Sequence, residues 1–176
     1  LGDVYKRQDI ADEVVIQGST ETIITAADTN EPTVKFAPTE AHLVAFKRIT
    51  IKDLAIINDA TAEAPNVALQ FDTTDDVEAF SSAGDGIFLQ NLKILGEVSF
   101  TTINELRADN VISSAGTVTD RFSFSNVSHC VMTNCNLQRT AISYNFANTE
   151  PANGIDRLEF YNCKIYGSDI DNTCLL

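Results

Sequence analysis

The sequence predicts an all-β solenoid, a single-stranded coil of about five to six rungs. Three observations predict it. One phrase recurs, clearest as Leu158-Glu-Phe-Tyr-Asn-Cys-Lys-Ile-Tyr-Gly167. It returns as Ile49-Thr-Ile-Lys-Asp-Leu-Ala-Ile56 and Ile87-Phe-Leu-Gln-Asn-Leu-Lys-Ile94, and more loosely as Leu106-Arg-Ala-Asp-Asn-Val-Ile112 and Cys130-Val-Met-Thr-Asn-Cys-Asn-Leu137. Each copy alternates apolar and polar residues, the period of a half-buried strand. No segment repeats apolar residues at helical spacing.

Aligned on one residue, the copies place Asp53, Asn91, Asn110, Asn134 and Asn162 together, at spacings of 38, 19, 24 and 28 residues. Four before it stand Ile49, Ile87, Leu106, Cys130 and Leu158; two before it, Ile51, Leu89, Ala108, Met132 and Phe160. One after it stand Leu54, Leu92, Val111, Cys135 and Cys163; three after it, Ile56, Ile94, Ser113, Leu137 and Ile165. Nearly all are apolar and are expected to point inward. The interleaved residues are mostly polar, with Phe88 and Val131 as exceptions. The aligned Asn is expected at a sharp corner, because Asn and Asp tolerate the left-handed backbone a corner needs. Its amide is also placed to bond the next Asn about 4.8 Å away, giving an Asn ladder in which Asp53 has no proton to donate.

In chain order, Val14–Gly18, Thr22–Thr25 and Pro32–Phe36 are short β-rich runs, and Glu40–Phe46 is a loose apolar segment before the first copy. Asn66–Phe71 alternates as a strand. Asp72–Asp85 is acidic, carries Ser, Thr and Gly, and has no period, so it reads as a loop. Val98–Thr101 is a strand, Ser113–Asp120 a turn region, Phe122–Phe124 a strand, Ile142–Phe146 a strand and Asn148–Gly154 a loop. The strands between copies supply a third side to each rung. Phe122-Ser-Phe-Ser-Asn126 imitates the phrase, but it lies too close before Asn134 for a rung and belongs to the third side.

The repeated apolar-x-Asn-apolar-x-Ile phrase, with Gly86-Ile-Phe-Leu89, resembles the right-handed parallel β-helix of the pectin lyase-like superfamily over roughly Val14 to Ile170. A β-sandwich or propeller is the alternative; a sandwich has no need to hold its repeat in phase with one special residue. The resemblance implies chemistry on the outer face of one sheet and in the loops beside it. That points to the acidic loop, with Asp72, Asp75, Asp76, Glu78 and Asp85, and to Asp120 and Arg121. Paired carboxylates serve glycoside hydrolysis as acid and base, or hold Ca²⁺. A solvated loop on an acidic protein is the commoner reason for such a cluster, and its spacing matches no Ca²⁺-loop pattern. No other cofactor is implied. Polygalacturonase-like enzymes need Asn-Thr-Asp, Asp-Asp, Gly-His-Gly and Arg-x-Lys motifs, of which only Asp75-Asp76 is present. The downstream Asp motifs of pectin methylesterases are absent after Phe71. Arg121 is the one basic residue beside the third side, and a surface ion pair with Asp120 is its simpler role.

The outer face of the third side is expected to carry Ala68, Gln70, Ser99, Thr101, Ser123, Ser125, Ser143 and Asn145. These small neutral groups lie in rows that suit a sugar chain, without exposed aromatic platforms. Cys135 and Cys163 occupy equivalent inward positions within reach of a disulfide, although two small buried hydrophobes are the readier explanation. His42 has no acidic partner in its own copy, and His129 reads as a turn or surface residue.

A formal charge of −13 repels phosphate backbones, so nucleic acid is not an expected partner. No apolar run approaches the ~18 residues of a membrane span. The cysteines lack CxxC spacing, so a zinc site is not expected. Asp3-Val-Tyr-Lys-Arg-Gln8 can be encoded by GATGTGTATAAGAGACAG, which looks like a sequencing-library adapter, and its reverse complement encodes the closing Cys174-Leu-Leu176. Residues 1–8 and 174–176 are therefore expected to be adapter-derived, with 9–173 as a β-helix domain cut at both ends. The expected role is an extracellular segment at a cell surface or on a virion, facing a polysaccharide or cell-surface glycan. It would resemble a phage tail spike, and be a homotrimer in that case, or a bacterial surface protein. A fragment of a polysaccharide lyase or glycoside hydrolase, or a structural spacer such as an adhesin stalk, are the alternatives.

Overall fold

A computed structural model describes residues 13–19, 21–26, 31–36, 48–58, 66–71, 86–114, 122–143 and 157–167. Among them the fold is all-β and the strand pairs are parallel. The strands are β1 (Glu13–Gln17), β2 (Ile23–Thr25), β3 (Val34–Phe36), β4 (Arg48–Ile57), β5 (Val67–Phe71), β6 (Gly86–Leu95), β7 (Glu97–Ser114), β8 (Phe122–Thr133), β9 (Asn136–Ser143), β10 (Arg157–Tyr161) and β11 (Lys164–Gly167).

Three parallel ladders run through them. In the first, β1, residues 48–52, 86–90, 105–109 and 129–133, and β10 lie side by side. In the second, β2, residues 55–57, 92–95, 112–113 and 136–137, and β11 do so. In the third, β3, β5 and residues 98–101, 122–125 and 140–143 do so. Register partners in the first two ladders are the residues the repeat aligns. Ile49 faces Ile87, Ile87 faces Leu106, Leu106 faces Cys130 and Cys130 faces Leu158. Val14 and Ile16 precede that column, opposite Ile49 and Ile51, so the first runs of the chain are a repeat whose corner lacks Asn. There Gly18 N–H donates to Lys52 O, and Thr22 N–H to Ser19 O.

The first two ladders meet at the aligned residue. Asp53, Asn91, Asn110, Asn134 and Asn162 have φ of 59°, 50°, 53°, 55° and 52°, and no other described non-glycine residue has positive φ. One left-handed residue turns the strand without breaking the alternation on either side, so inward residues flank it in every copy. A second corner is made by Gly96, at φ +118°, whose N–H donates to Ser114 O. A Cβ there would meet Asn66 O at 2.5 Å, so both the turn and the close approach require glycine.

Some expectations need correction. Ala68 is fully buried, not outward. The register shifts between Val67 and Leu69 against β7, and this bulge turns two successive residues inward. Ser113 lies in β7 and is buried, so the turn region cannot begin there. The strand expected at Ile142 is the end of β9, which starts at Asn136. Phe122–Ser125 pairs with Val98–Thr101 and Thr140–Ser143, on the third ladder.

The core lies between the ladders: Ile, Leu and Val from the first two and Phe71, Phe100 and Phe122 from the third, all buried. Phe100 meets Phe122 edge-on at 6.1 Å, and Phe36 packs on Phe71 at 5.9 Å. At the C-terminal end three free thiols gather: Cys130, Cys135 and Cys163. Cys135 N–H donates to Cys163 Sγ at 3.4 Å, and Cys163 Sγ lies 3.4 Å from Met132 O. Burial pushes the Cys130 thiol up to about 12, with smaller contributions from Cys135 and Cys163, and burial pushes Cys135 up to about 11. The folded state thus keeps these protons after the unfolded chain releases them. Their stabilising effect is complete below the ordinary thiol value of 9.0 and is lost as pH rises through about 11 to 12. In mildly alkaline buffer, iodoacetamide is expected to alkylate the half-exposed Cys163 first and Cys130 last. Timed peptide mass spectrometry checks the order, and equal rates in native protein would contradict it.

Candidate binding surface

The third ladder brings several expected ligand residues into line. Gln70 is in register with Ser99, and Ser99 with Ser123; Lys35 stands before Gln70 and Ala141 after Ser123. Gln70, Ser99 and Ser123 are half-buried. A neighbouring column aligns Thr101 with Ser125 and Ser125 with Ser143. Ser123 Oγ is engaged, donating to Val98 O at 3.1 Å. Asn145 lies outside the described residues, as do Asp72, Asp75, Asp76, Glu78, Asp85, Asp120 and Arg121, and with them the acidic loop that Ca²⁺ binding would need. Among the described residues no group of three or more His, Cys, Asp or Glu is placed to hold a metal ion.

The corner amides form a second line. Asn91 Nδ2 donates to Asp53 Oδ1 at 2.9 Å, Asn110 Nδ2 to Asn91 Oδ1 at 3.0 Å, and Asn162 Nδ2 to Asn134 Oδ1 at 2.8 Å. Asp53 also accepts from Gln17 Nε2 at 3.3 Å, so its carboxylate starts the line as an acceptor on both sides. Asn134 donates to Asp109 Oδ1 at 3.3 Å. The corner amides thus bond in two runs, Asp53–Asn91–Asn110 and Asn134–Asn162, and at the step between them Asn134 turns to Asp109 in place of Asn110.

Sequence reasoning missed the outer face of the first ladder, where about half of the described charged residues and the exposed ring of Tyr161 lie. The Arg48 guanidinium lies 4.6 Å from the centre of the Phe88 ring, and that of Arg107 5.7 Å from it. Arg107 Nε also pairs with Glu105, whose side chain is 8% exposed while that of Arg107 is 57% exposed. On β10, Arg157 Nε donates to Glu159 Oε1 at 2.7 Å, and Tyr161 OH donates to Glu159 Oε2 at 2.9 Å. The Arg157 bond, then that from Tyr161, holds the Glu159 carboxyl below its usual range. His129 sits half-buried in register with Glu105. One signal for this face was legible: Phe88 is an aromatic side chain at a position that is polar in most copies.

Comparison with protein-family models, curated proteins and solved structures finds no match to this chain. No helix among the described residues is long and apolar enough to cross a membrane.

Proposed function

We propose that the chain is a segment of a right-handed parallel β-helix, of the pectin lyase-like kind, that faces a polysaccharide outside the cell in a binding or structural role. The observation that carries the reading is the set of three in-register parallel ladders joined at left-handed Asn and Asp corners. Strands that progress in parallel through three ladders in turn, always in chain order, are what a coil of rungs produces. Right-handedness follows from the rule for parallel crossovers, obeyed in about 98% of cases. Such a coil repeats its surface chemistry at the strand spacing of about 4.8 Å, a match for a polymer of repeated hydrogen-bonding units. The Gln70–Ser99–Ser123 column supplies neutral donors and acceptors in that register.

The test is binding of the chain to an array of bacterial and plant glycans. A linear polysaccharide is expected to bind, and Gln70→Ala combined with Ser99→Ala is expected to weaken it about tenfold. A chain that retains every glycan after both substitutions does not bind through this column. A chain that binds none is a spacer.

A further inference from the structure

The thiols at the C-terminal end of the coil take no part in the glycan-facing reading. Cys135 and Cys163 each follow a left-handed Asn, in successive rungs. The strands on both sides of that corner are in register: Tyr161 with Thr133 before it, and Lys164 with Asn136 after it. Asn162 Nδ2 donates to Asn134 Oδ1 at 2.8 Å, and Lys164 N–H to Cys135 O at 2.8 Å, so hydrogen bonds bracket the two cysteines. Neighbouring parallel strands lie about 4.8 Å apart, inside the roughly 4.4–6.8 Å between Cα atoms that a disulfide spans. Cys163 Sγ reaches back further than that spacing requires, since it accepts the Cys135 N–H at 3.4 Å. The two thiols are within hydrogen-bonding reach of each other. Cys130 belongs to another column. Its register partners are Leu106 and Leu158, so no sulfur lies directly beside it along the ladder.

The rung that holds Cys163 is only partly enclosed. Among the described residues it has strands in the first two ladders, β10 and β11, which pair with β8 and β9. Its inward Leu158, Phe160 and Cys163 are partly buried, whereas Cys130, Met132 and Cys135 in the same columns are buried. A rung with less buried area opens more readily than its neighbours.

We propose that Cys135 and Cys163 are a redox-sensitive pair that closes to a disulfide and clamps the rung of β10 and β11 to the preceding rung at the Asn corner. The co-reactant is a small dialkyl disulfide of the glutathione class. Cys163, the more accessible of the two, loses its proton and its thiolate attacks the reagent. A mixed disulfide forms on Cys163 and one small thiolate leaves. The Cys135 thiolate then attacks Cys163 Sγ, which forms the protein disulfide and expels the second small thiolate. The two protons given up by the protein thiols go to the two expelled thiolates, and two electrons reduce the sulfur–sulfur bond of the reagent. Burial holds the Cys135 thiol up at about 11, so the second step is the slower one. The bond closes a loop between residues 28 apart in the chain and removes open conformations of the rung. The clamp goes beyond the polysaccharide-facing reading, which supplies only the oxidising surroundings of a protein outside the cell.

The experiment starts from the full chain, reduced and then incubated with oxidised glutathione in mildly alkaline buffer. Remaining thiols are alkylated after unfolding. Cyanogen bromide cuts at Met132, the one methionine, and separates Cys130 from Cys135; trypsin cuts after Arg139 and Arg157. Mass spectrometry is expected to find one cross-linked pair of peptides carrying Cys135 and Cys163, with Cys130 alkylated. A glutathione adduct on Cys163 is expected to appear earlier. Native trypsin cleavage after Arg157 and Lys164 is expected to slow about tenfold in the oxidised chain and to recover with dithiothreitol. Cys163→Ala is expected to abolish both the cross-link and the slowing, and Cys130→Ala neither. A cross-link through Cys130 or Cys174 overturns the proposal, as does a folded chain that forms none while the urea-unfolded chain does. Cleavage at an unchanged rate once the cross-link has formed overturns the clamp. These outcomes read thiols and leave the glycan reading standing, which the array tests through Gln70 and Ser99.

Discussion

Truncating Phe100 to alanine is expected to destabilise the fold by about 3–5 kcal/mol, among the largest losses for a single substitution of this core. Phe100 is buried at 2% exposure, is in register with Phe71 on one side and Phe124 on the other, and meets the Phe122 ring at 6.1 Å. Its removal leaves a void between backbones that two ladders hold in parallel register, so the walls have little freedom to collapse. Domains of this size are stable by about 5–15 kcal/mol, so the loss is a large fraction of the whole. Urea denaturation measures it as a lower midpoint at unchanged slope. A double-mutant cycle with Phe122→Leu is expected to return a coupling of about 0.5–1.5 kcal/mol for the edge-on pair. A loss below about 1 kcal/mol for Phe100→Ala would mean that the side chain is not part of a close-packed core.

Replacing Asn91 by valine is expected to cost about 2–3 kcal/mol, although Asn91 is exposed and at the protein surface. Two terms add. A β-branched residue has no comfortable conformation at φ 50°, and the side chain that donates to Asp53 and accepts from Asn110 is gone. Asn91→Gly separates them. Glycine adopts the corner freely and loses only the two side-chain bonds, so its cost is expected to be about 1 kcal/mol. Thermal or urea denaturation of both variants checks the difference. Equal losses for valine and glycine would show that the backbone at the corner carries no conformational preference.

The corners explain why so much of the fold was legible. A left-handed residue is a local event, and the residue types that tolerate it are few, so five equivalent positions stood out in the sequence. Inward and outward faces followed from the alternation on each side of them. The first repeat, Val14–Thr25, escaped because its corner uses Gly18 and Thr22 in place of Asn, although Val14, Ile16 and Ile24 keep the inward phase. Ala68 was misplaced because alternation assumes an unbroken register, and a bulge against β7 breaks it. The corner at Gly96 was equally local, but a single Leu-Gly-Glu step has no partner in the other copies to mark it.

The outer surface was less legible for a different reason. Arg48 and Arg107 are 59 residues apart in the chain, and no local preference records that both approach one ring. The same holds for Asn134, whose amide goes to Asp109: the repeat placed Asn134 at a corner but not its hydrogen-bond partner.

By itself, the sequence determined an all-β chain, the inward and outward residues on either side of the corners and the five positions where the strand turns, because period and backbone preference act over a few residues. Only the tertiary structure decided which strands are neighbours, where the register slips, how the thiols of Cys130, Cys135 and Cys163 gather, and how Phe88 comes to hold two arginines. Those outcomes depend on side chains meeting across ladders, and the contacts that settle them join residues that are distant along the chain.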